Sequence, residues 1–132
     1  MNFRELTVLI IDDSTFIRDL VKTLLQGLGV RKVLEASDGI SGLGIVSKKK
    51  VDLILCDLSM EPMSGFGFVE ALRNLESEEL QEIPIIILTV HDEANYVEQA
   101  IKDGVDGYLL KPISGKKLEE RIVQVLKSKK KI

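Results

Sequence analysis

Four short apolar segments constrain the fold of this 132-residue chain more than any other feature. They are rich in β-branched residues, nearly free of charge, and read LTVLII, VDLILC, IPIIIL and GYLL. Runs of this length and composition are typical of strands that are covered on both faces. We therefore expect a buried parallel sheet, with a further strand near residues 32–36.

Segments with helical periodicity separate these strands. Five amphipathic helices are expected, and the first places apolar residues at i, i+3, i+4, i+7, i+8 and i+11. The predicted apolar faces are Ile17, Leu20, Val21, Leu24, Leu25 and Leu28; Ile40, Leu43 and Val46; Val69, Leu72 and Leu75; Val97, Ala100 and Ile101; and Leu118, Ile122, Val125 and Leu126. The acidic tract at residues 76–82 is expected to be a solvated connection.

The alternation of strand and helix predicts the fold class. It runs five times without an internal repeat, which favours one α/β domain over residues 1–132. Such a chain forms a doubly wound five-stranded parallel sheet with helices on both faces.

Composition excludes several classes of protein. Hydrophobic residues make up 45% and charged residues 30% of the chain, as in a folded globular protein. The net charge of −3 gives no reason to expect nucleic-acid binding. The basic run at residues 127–131 is interpreted as a solvated helix end.

No apolar run reaches the roughly 18 residues of a membrane span, and the first residues do not resemble a signal peptide. A single cysteine, Cys56, suggests a reducing cytoplasm.

Each apolar segment ends at a residue that can take part in phosphoryl transfer. Asp12 and Asp13 follow the first segment, Asp57 the second, Thr89 ends the third and Lys111 follows the fourth. Because parallel strands end at one edge of their sheet, these side chains are expected to converge on one acidic pocket. Each of them alone has an ordinary explanation as a cap, a turn acid or a surface lysine, so the prediction depends on their joint occurrence.

The three carboxylates predict a metal site. Two like charges about 4 Å apart cost roughly 4 kcal/mol at an effective dielectric near 20, so one acid takes up a proton or a cation enters. Oxygen ligands favour Mg²⁺, or Mn²⁺ in its place. We expect direct binding by Asp13 and Asp57, a partly water-mediated contact from Asp12, and a further oxygen from the backbone of Ser59.

Asp57 is the expected phosphoacceptor. A carboxylate can attack phosphorus and form an acyl phosphate, and the barrier is mainly positional and electrostatic. Lys111 would supply a mobile positive charge and Thr89 a hydroxyl donor. His91 is expected on a surface loop, with some influence on water access to the pocket. Tyr108 fits either a core position or an edge position from which its ring can swing.

This pattern resembles the receiver domains of two-component response regulators, and in particular the free-standing chemotaxis receivers of the CheY type. The resemblance covers residues 7–127 and rests on DDSTFIRDLV, on GVDGYLLKPISGKKLEERI, and on Asp12-Asp13, Asp57 with Met60 and Gly65, Thr89, and Lys111-Pro112. It implies a flavodoxin-like sheet of order 2-1-3-4-5.

The resemblance also implies a role for each of the site residues. A partner histidine kinase or a histidine phosphotransfer protein would phosphorylate Asp57, while Thr89 and Lys111 hold the phosphoryl group beside the magnesium ion. Tyr108 matches the aromatic residue whose rotamer follows Thr89, and the output face would be formed by the fourth predicted helix, the last strand and the last helix. A downstream protein, such as a flagellar motor switch, would read that face. Such a protein is a cytoplasmic switch that promotes only its own phosphorylation and dephosphorylation, without nucleic-acid or membrane partners.

Some positions depart from the family pattern. Glu61 stands where proline commonly follows the methionine, with Pro62 one place later. Val90 replaces a small residue, so it is expected to narrow access to Asp57 and to slow both phosphorylation and hydrolysis. Ser59 and His91 occupy positions that tune the lifetime of the acyl phosphate in this family.

Three other functions fit the sequence less well. An aspartate-nucleophile phosphatase or phosphotransferase needs a second Asp two residues after the first, where this chain has Ser59. A flavin or dinucleotide binder needs glycines after the first strand, where this chain has DDSTF. A degenerate interaction module would not keep the acidic pocket. A phosphorelay carrier and a receiver cut from a longer regulator both remain open.

Overall fold

The computed structural model describes residues 2–129, in which five parallel strands form one sheet. The order is β2-β1-β3-β4-β5, as the resemblance implied. The strands are β1 (Thr7–Ile11), β2 (Lys32–Ala36), β3 (Leu53–Asp57), β4 (Ile85–Thr89) and β5 (Gly107–Leu110). The predicted doubly wound α/β class is confirmed, while a single domain over all of residues 1–132 stays a prediction.

Six helices connect the strands, after a 3-10 turn at Phe3–Glu5. They are α1 (Thr15–Gly27), α2 (Gly39–Lys48), α3 (Gly65–Arg73), α4 (Glu78–Gln81), α5 (Ala94–Lys102) and α6 (Gly115–Ser128). Most of them begin at a side-chain cap, which satisfies a backbone N–H group that the first turn leaves free. The caps are Ser14, Asp38, Ser64, Ser77 and Ser114. Of the basic run at residues 127–131, Lys127 is an exposed residue of α6 and residues 130 and 131 lie outside the described part.

The sheet separates two apolar layers, because alternate residues of a strand point to opposite faces. Val8 and Ile10 of β1 pack with α1 and α6, whereas Leu9 and Ile11 pack with α2 and α3. Every residue of β3 and β4 is buried. This two-sided burial explains why the strand segments are almost free of polar residues before their last positions.

Three predicted core positions are wrong. Leu20, Ile40 and Ile101 are 37%, 57% and 71% exposed. On each helix the apolar stripe is wider than the strip that contacts the sheet. In α5 the small Ala100 makes the close approach, and the next side chain is turned away by about 100°.

The tract between α3 and β4 is also more ordered than expected. Residues 78–81 form the single-turn helix α4, which Ser77 caps. Leu75, expected in the third helix, follows its end and is half-buried against the α2/α3 layer. Arg73 fastens this region by donating hydrogen bonds to the carbonyls of Ile83 and Gly104.

Candidate functional site

The strand register brings the four chemical segments to one edge of the sheet. Ile11 pairs with Cys56, so the residues that follow them, Asp12 and Asp57, lie level on neighbouring strands. Asp57 pairs with Leu88, which places Thr89 one residue further along β4. Lys111 follows β5 and donates its backbone N–H to the Thr89 carbonyl at 2.7 Å.

Lys111 bridges two of the acids. Its Nζ lies 3.2 Å from Asp12 Oδ2 and 3.2 Å from Asp57 Oδ1. One oxygen of each carboxylate is therefore paired with the ammonium group. Asp12 Oδ1 accepts a further hydrogen bond from the backbone N–H of Ser14 at 2.9 Å.

Three carboxylates offer a set of ligands for a metal ion. Oxygens of Asp12, Asp13 and Asp57 all lie within 4.8 Å of one another. Asp12 and Asp57 are 1% and 7% exposed, whereas Asp13 is exposed. A cleft lined by Asp13, Ser59, Met60 and Glu61 opens beside them to solvent. Hard oxygen donors next to a solvent-filled cleft suit a cation that keeps several of its waters. The cluster can therefore hold a divalent metal ion.

The electrostatics of Asp57 and Lys111 follow from this geometry. Burial raises the pKa of Asp57, the Asp12 carboxylate raises it further, and Lys111 offsets only part of the rise. For Lys111, burial lowers the pKa, but the carboxylates of Asp12 and Asp57 together outweigh it and leave the pKa above its ordinary value. Without a metal ion the pocket therefore holds more negative charge than the single lysine compensates.

Thr89 is buried at the end of β4, and its Oγ1 accepts a hydrogen bond from the backbone N–H of His91 at 3.1 Å. Its neighbour Val90, which the sequence suggested as a restriction on access, is an exposed side chain.

His91 is more closely involved with the site than the sequence suggested. Its ring is half-buried and stacks on Tyr96 of α5 with centroids 4.5 Å apart. Nε2 lies 3.4 Å from Ser59 Oγ, and Nδ1 lies 3.6 Å from a carboxylate oxygen of Glu93. The imidazole thus joins the loop after β3 to the start of α5.

Tyr108 is linked to the same loop. Its hydroxyl donates to the His91 carbonyl at 2.7 Å, and its half-buried ring packs against the α2/α3 layer. Burial, and then the charge of Glu93, raises the pKa of Tyr108. Tyr108 therefore contacts the core through its ring and the loop after β4 through its hydroxyl group.

Two further residues shape the pocket: Arg18, which the sequence did not single out, and Gly65, which it singled out only as a turn former and as part of the family motif. Arg18 Nη1 donates to the Asp12 carbonyl at 2.6 Å and its Nε to Glu35 at 3.2 Å, which holds the turn after β1. The one sequence signal for the Arg18 contact is that this residue lies six positions after Asp12. Gly65 approaches the backbone of Asp57 so closely that a Cβ at position 65 would lie 2.4 Å from the Asp57 carbonyl oxygen.

Cys56 was predicted to be a buried small hydrophobic residue, and it is fully buried. Burial raises the pKa of its thiol far above the ordinary value, with the charges of Asp57 and Asp12 adding to the effect. The thiol therefore stays protonated and unreactive beside Asp57.

Several known proteins are similar to this chain in sequence and in fold. The model of the response regulator receiver domain matches residues 8–123. Chemotaxis protein CheY-3 of Vibrio cholerae serotype O1 is 31% identical over 123 residues, which span 92% of each chain. Sensor histidine kinase GacS of Pseudomonas protegens is 36% identical over 118 residues, which span 89% of this chain and 13% of GacS. The structure of Vibrio cholerae chemotaxis protein CheY4 superimposes with a TM-score of 0.84 at 33% identity, covering 92% of this chain and 98% of CheY4.

No helix between residues 2 and 129 is long and apolar enough to cross a membrane.

Proposed function

The chain belongs to the response regulator receiver domain family, and we propose that it is a signalling switch whose Asp57 takes a phosphoryl group from a phosphohistidine. The observation that carries this proposal is the Lys111 ammonium group, 3.2 Å from both Asp12 and Asp57 at the shared strand edge. Receiver domains act in two-component signalling and are phosphorylated by histidine kinases. The donor here would be a sensor histidine kinase or a histidine phosphotransfer protein.

We propose Mg²⁺, with Mn²⁺ as a substitute, as the ion at the three carboxylates. Asp13 and Asp57 would bind it directly, Asp12 partly through water, and the Ser59 carbonyl would supply another oxygen. When bound, the ion neutralises charge on the acids and on the incoming phosphoryl oxygens.

The residues of the chain carry out the transfer. An Asp57 carboxylate oxygen forms the new O–P bond while the P–N bond of phosphohistidine breaks and its electron pair returns to the imidazole. Lys111 keeps one Asp57 oxygen in place and then pairs with the phosphoryl oxygens. Thr89, whose Oγ1 accepts from the His91 N–H, donates its hydroxyl proton to another of these oxygens.

The signal would pass through the loop after β4. When Thr89 turns toward the phosphoryl group, the backbone N–H of His91 loses its acceptor, and the Tyr108 hydroxyl is bonded to the carbonyl of the same residue. The output face would comprise α5, β5 and α6, where Ile101 and Leu110 are exposed. A flagellar motor switch protein is the candidate target, because several relatives of this chain are chemotaxis proteins. With these partners the switch would act in the cytoplasm.

Mass spectrometry after incubation with acetyl phosphate and Mg²⁺ tests the proposal. We expect one labile adduct of about 80 Da, the mass of one phosphoryl group, on the native chain and none on Asp57→Asn. Asp19→Asn, an exposed acid on α1, is the matched control and should be labelled normally. Sustained release of phosphate from many phosphoesters without an adduct would instead indicate an aspartate-nucleophile phosphatase.

A further inference from the structure

The end of the sheet opposite Asp57 carries exposed cations that the proposed function does not use. Arg31 and Lys32 lie at the start of β2, and three lysines at residues 48–50 end α2 and lead toward β3. Because the strands are parallel, these segments lie at the amino ends of the strands, away from the phosphoacceptor. These five residues are called the basic end below.

The charge of the basic end is not compensated by ion pairs. None of its five cations pairs with an acid in residues 2–129, whereas other cations such as Arg18, Arg73 and Lys129 do. The chain has 18 lysines and arginines, so 13 remain elsewhere against 21 acidic residues. A protein of net charge −3 thus concentrates positive charge at one end.

Ordinary structural roles explain only part of this cluster. Lys48 is the last residue of α2, where a cation offsets the helix dipole. Lys32 is the first residue of an edge strand, where a lysine discourages pairing between copies. Lys49 is the C-cap of α2 and shares the first role, whereas Arg31 and Lys50 lie in connecting segments and have neither role.

Two clefts meet at Lys49 and Lys50. Arg31, Lys32, Val33 and Leu34 of the edge strand line one of them. Lys48 of α2, with Val46, Leu80 and Ile83, lines the other. Each cleft therefore combines apolar side chains with cations, and each also contains acids: Asp52 in both, Glu5 in the first and Glu79 in the second.

Two hydrogen bonds hold the backbone that follows these lysines. The Thr7 N–H donates to Asp52 Oδ2 at 2.8 Å, and the Asp52 N–H donates to the Thr7 carbonyl at 2.8 Å. The segment before β3 is thereby tied to the start of β1. A rigid cationic surface loses less entropy on binding than a flexible tail does.

We propose that the basic end is a docking surface for an acidic, extended segment of a partner protein. Its acidic side chains would pair with the five cations, which outnumber the three acids of the clefts, and its apolar side chains would contact the apolar residues there. Strand β2 has β1 as its one strand neighbour in the described sheet, so its outer edge can pair with an extended acidic chain, whose charge Lys32 attracts although the same lysine repels the edge of another copy. A flat lipid surface would contact the exposed side chains of Lys49 and Lys50 but would not enter the clefts. The surface is separate from the phosphorylation pocket, so docking does not require phosphorylated Asp57.

Fluorescence anisotropy with a labelled peptide of alternating glutamate and valine tests the proposal. In about 50 mM salt the peptide is expected to bind, and raising the salt to about 300 mM should weaken binding roughly tenfold. Lys49→Glu/Lys50→Glu should weaken it at least about tenfold. Lys102→Glu/Lys116→Glu makes an equal change of net charge at other exposed sites and should weaken it less than about twofold. Asp57→Asn should bind normally, which separates this proposal from the proposed function.

Amide chemical shifts locate the binding site, with movement expected at residues 31–34 and 48–52. Lys49→Gln/Lys50→Gln, which adds no charge repulsion, should also weaken binding, and circular dichroism checks that each variant is folded. Equal weakening by both charge-reversal variants, or shifts confined to α5 and α6, would overturn the proposal. So would phosphatidylglycerol vesicles or duplex DNA that bind through Lys49 and Lys50 while the peptide does not.

Discussion

Lys111 Nζ lies 3.2 Å from Asp57 Oδ1, although 54 positions separate the two residues in the chain. The contact exists because β3, β4 and β5 are neighbouring parallel strands that end at one edge. The same ammonium group is equally close to Asp12. One cation thus serves two buried acids, and a third acid, Asp13, completes a cluster with excess negative charge.

Removing the bridging cation should destabilise the metal-free protein. Lys111→Met leaves Asp12 and Asp57 facing each other unpaired, and we expect a loss of about 1–3 kcal/mol because the ammonium group is partly screened by solvent. Mg²⁺ should restore part of this loss. Urea unfolding with EDTA and with Mg²⁺ measures both effects, with the exposed Lys116→Met as control. Equal stability of Lys111→Met and the native chain in EDTA would contradict the account.

The raised pKa of Asp57 gives a dependence of stability on pH. When the folded-state pKa exceeds the unfolded one, the stabilising contribution is present below the unfolded pKa and is lost as pH rises through the folded pKa. At pH 8 in EDTA the ionised Asp57 therefore costs stability. Asp57→Asn should then be more stable than the native chain, and the difference should shrink in mild acid.

Thermal unfolding at pH 8 and at mildly acidic pH, with EDTA present, measures this difference. Asp19→Asn removes an exposed acid and should show little effect at either pH. An Asp57→Asn variant that is less stable than the native chain at pH 8 would contradict this prediction, because it would show that Lys111 fully compensates the negative charge of the pocket.

Gly65 should not tolerate a side chain. A Cβ there would lie 2.4 Å from the Asp57 carbonyl oxygen and 2.9 Å from Leu58 Cα, both of them backbone atoms. Gly65→Ala should cost about 1–3 kcal/mol, as overpacking does. In contrast, a Cβ at Gly44 in α2 meets nothing within 4 Å. Gly44→Ala should stabilise the chain by about 0.5–1 kcal/mol in the same denaturant titration. Similar costs for the two substitutions would rule out the close contact.

The Tyr108 hydroxyl should contribute to stability through the His91 carbonyl. Tyr108→Phe keeps the ring and removes a hydrogen bond of 2.7 Å, so we expect a loss of about 0.5–1.5 kcal/mol. Tyr96→Phe is the control, because it keeps the stack on His91. Chemical denaturation compares the two variants, and a larger effect of Tyr96→Phe would contradict the assignment.

The sequence predicts the fold and the carboxylate cluster well for one physical reason. Parallel strands end at the same edge of a sheet, so Asp12, Asp57 and Lys111 could be placed there from the alternation of strands and helices alone, whereas the strand order came from the family resemblance. Contacts that depend on side-chain packing could not be placed. The position of His91 follows from its stack on Tyr96, and no periodic pattern encodes that contact.

The sequence also does not show how much of each helix surface contacts the core. Ile101 continues the apolar stripe of α5, but the helix meets the core at Ala100, and the larger side chain is left in solvent. Arg18 looks like one charged residue among several on α1, and its bond to the Asp12 carbonyl depends on where the turn after β1 places that oxygen.

Locating the phosphoryl group within the chain tests the central claim most directly. The native protein is phosphorylated with Mg²⁺ and acetyl phosphate, the acyl phosphate is reduced with borohydride, and the peptides are sequenced by mass spectrometry. The account predicts conversion of Asp57 alone to homoserine, with Asp12 and Asp13 unchanged. Reduction at Asp12 or Asp13, or phosphate found on His91, would contradict it.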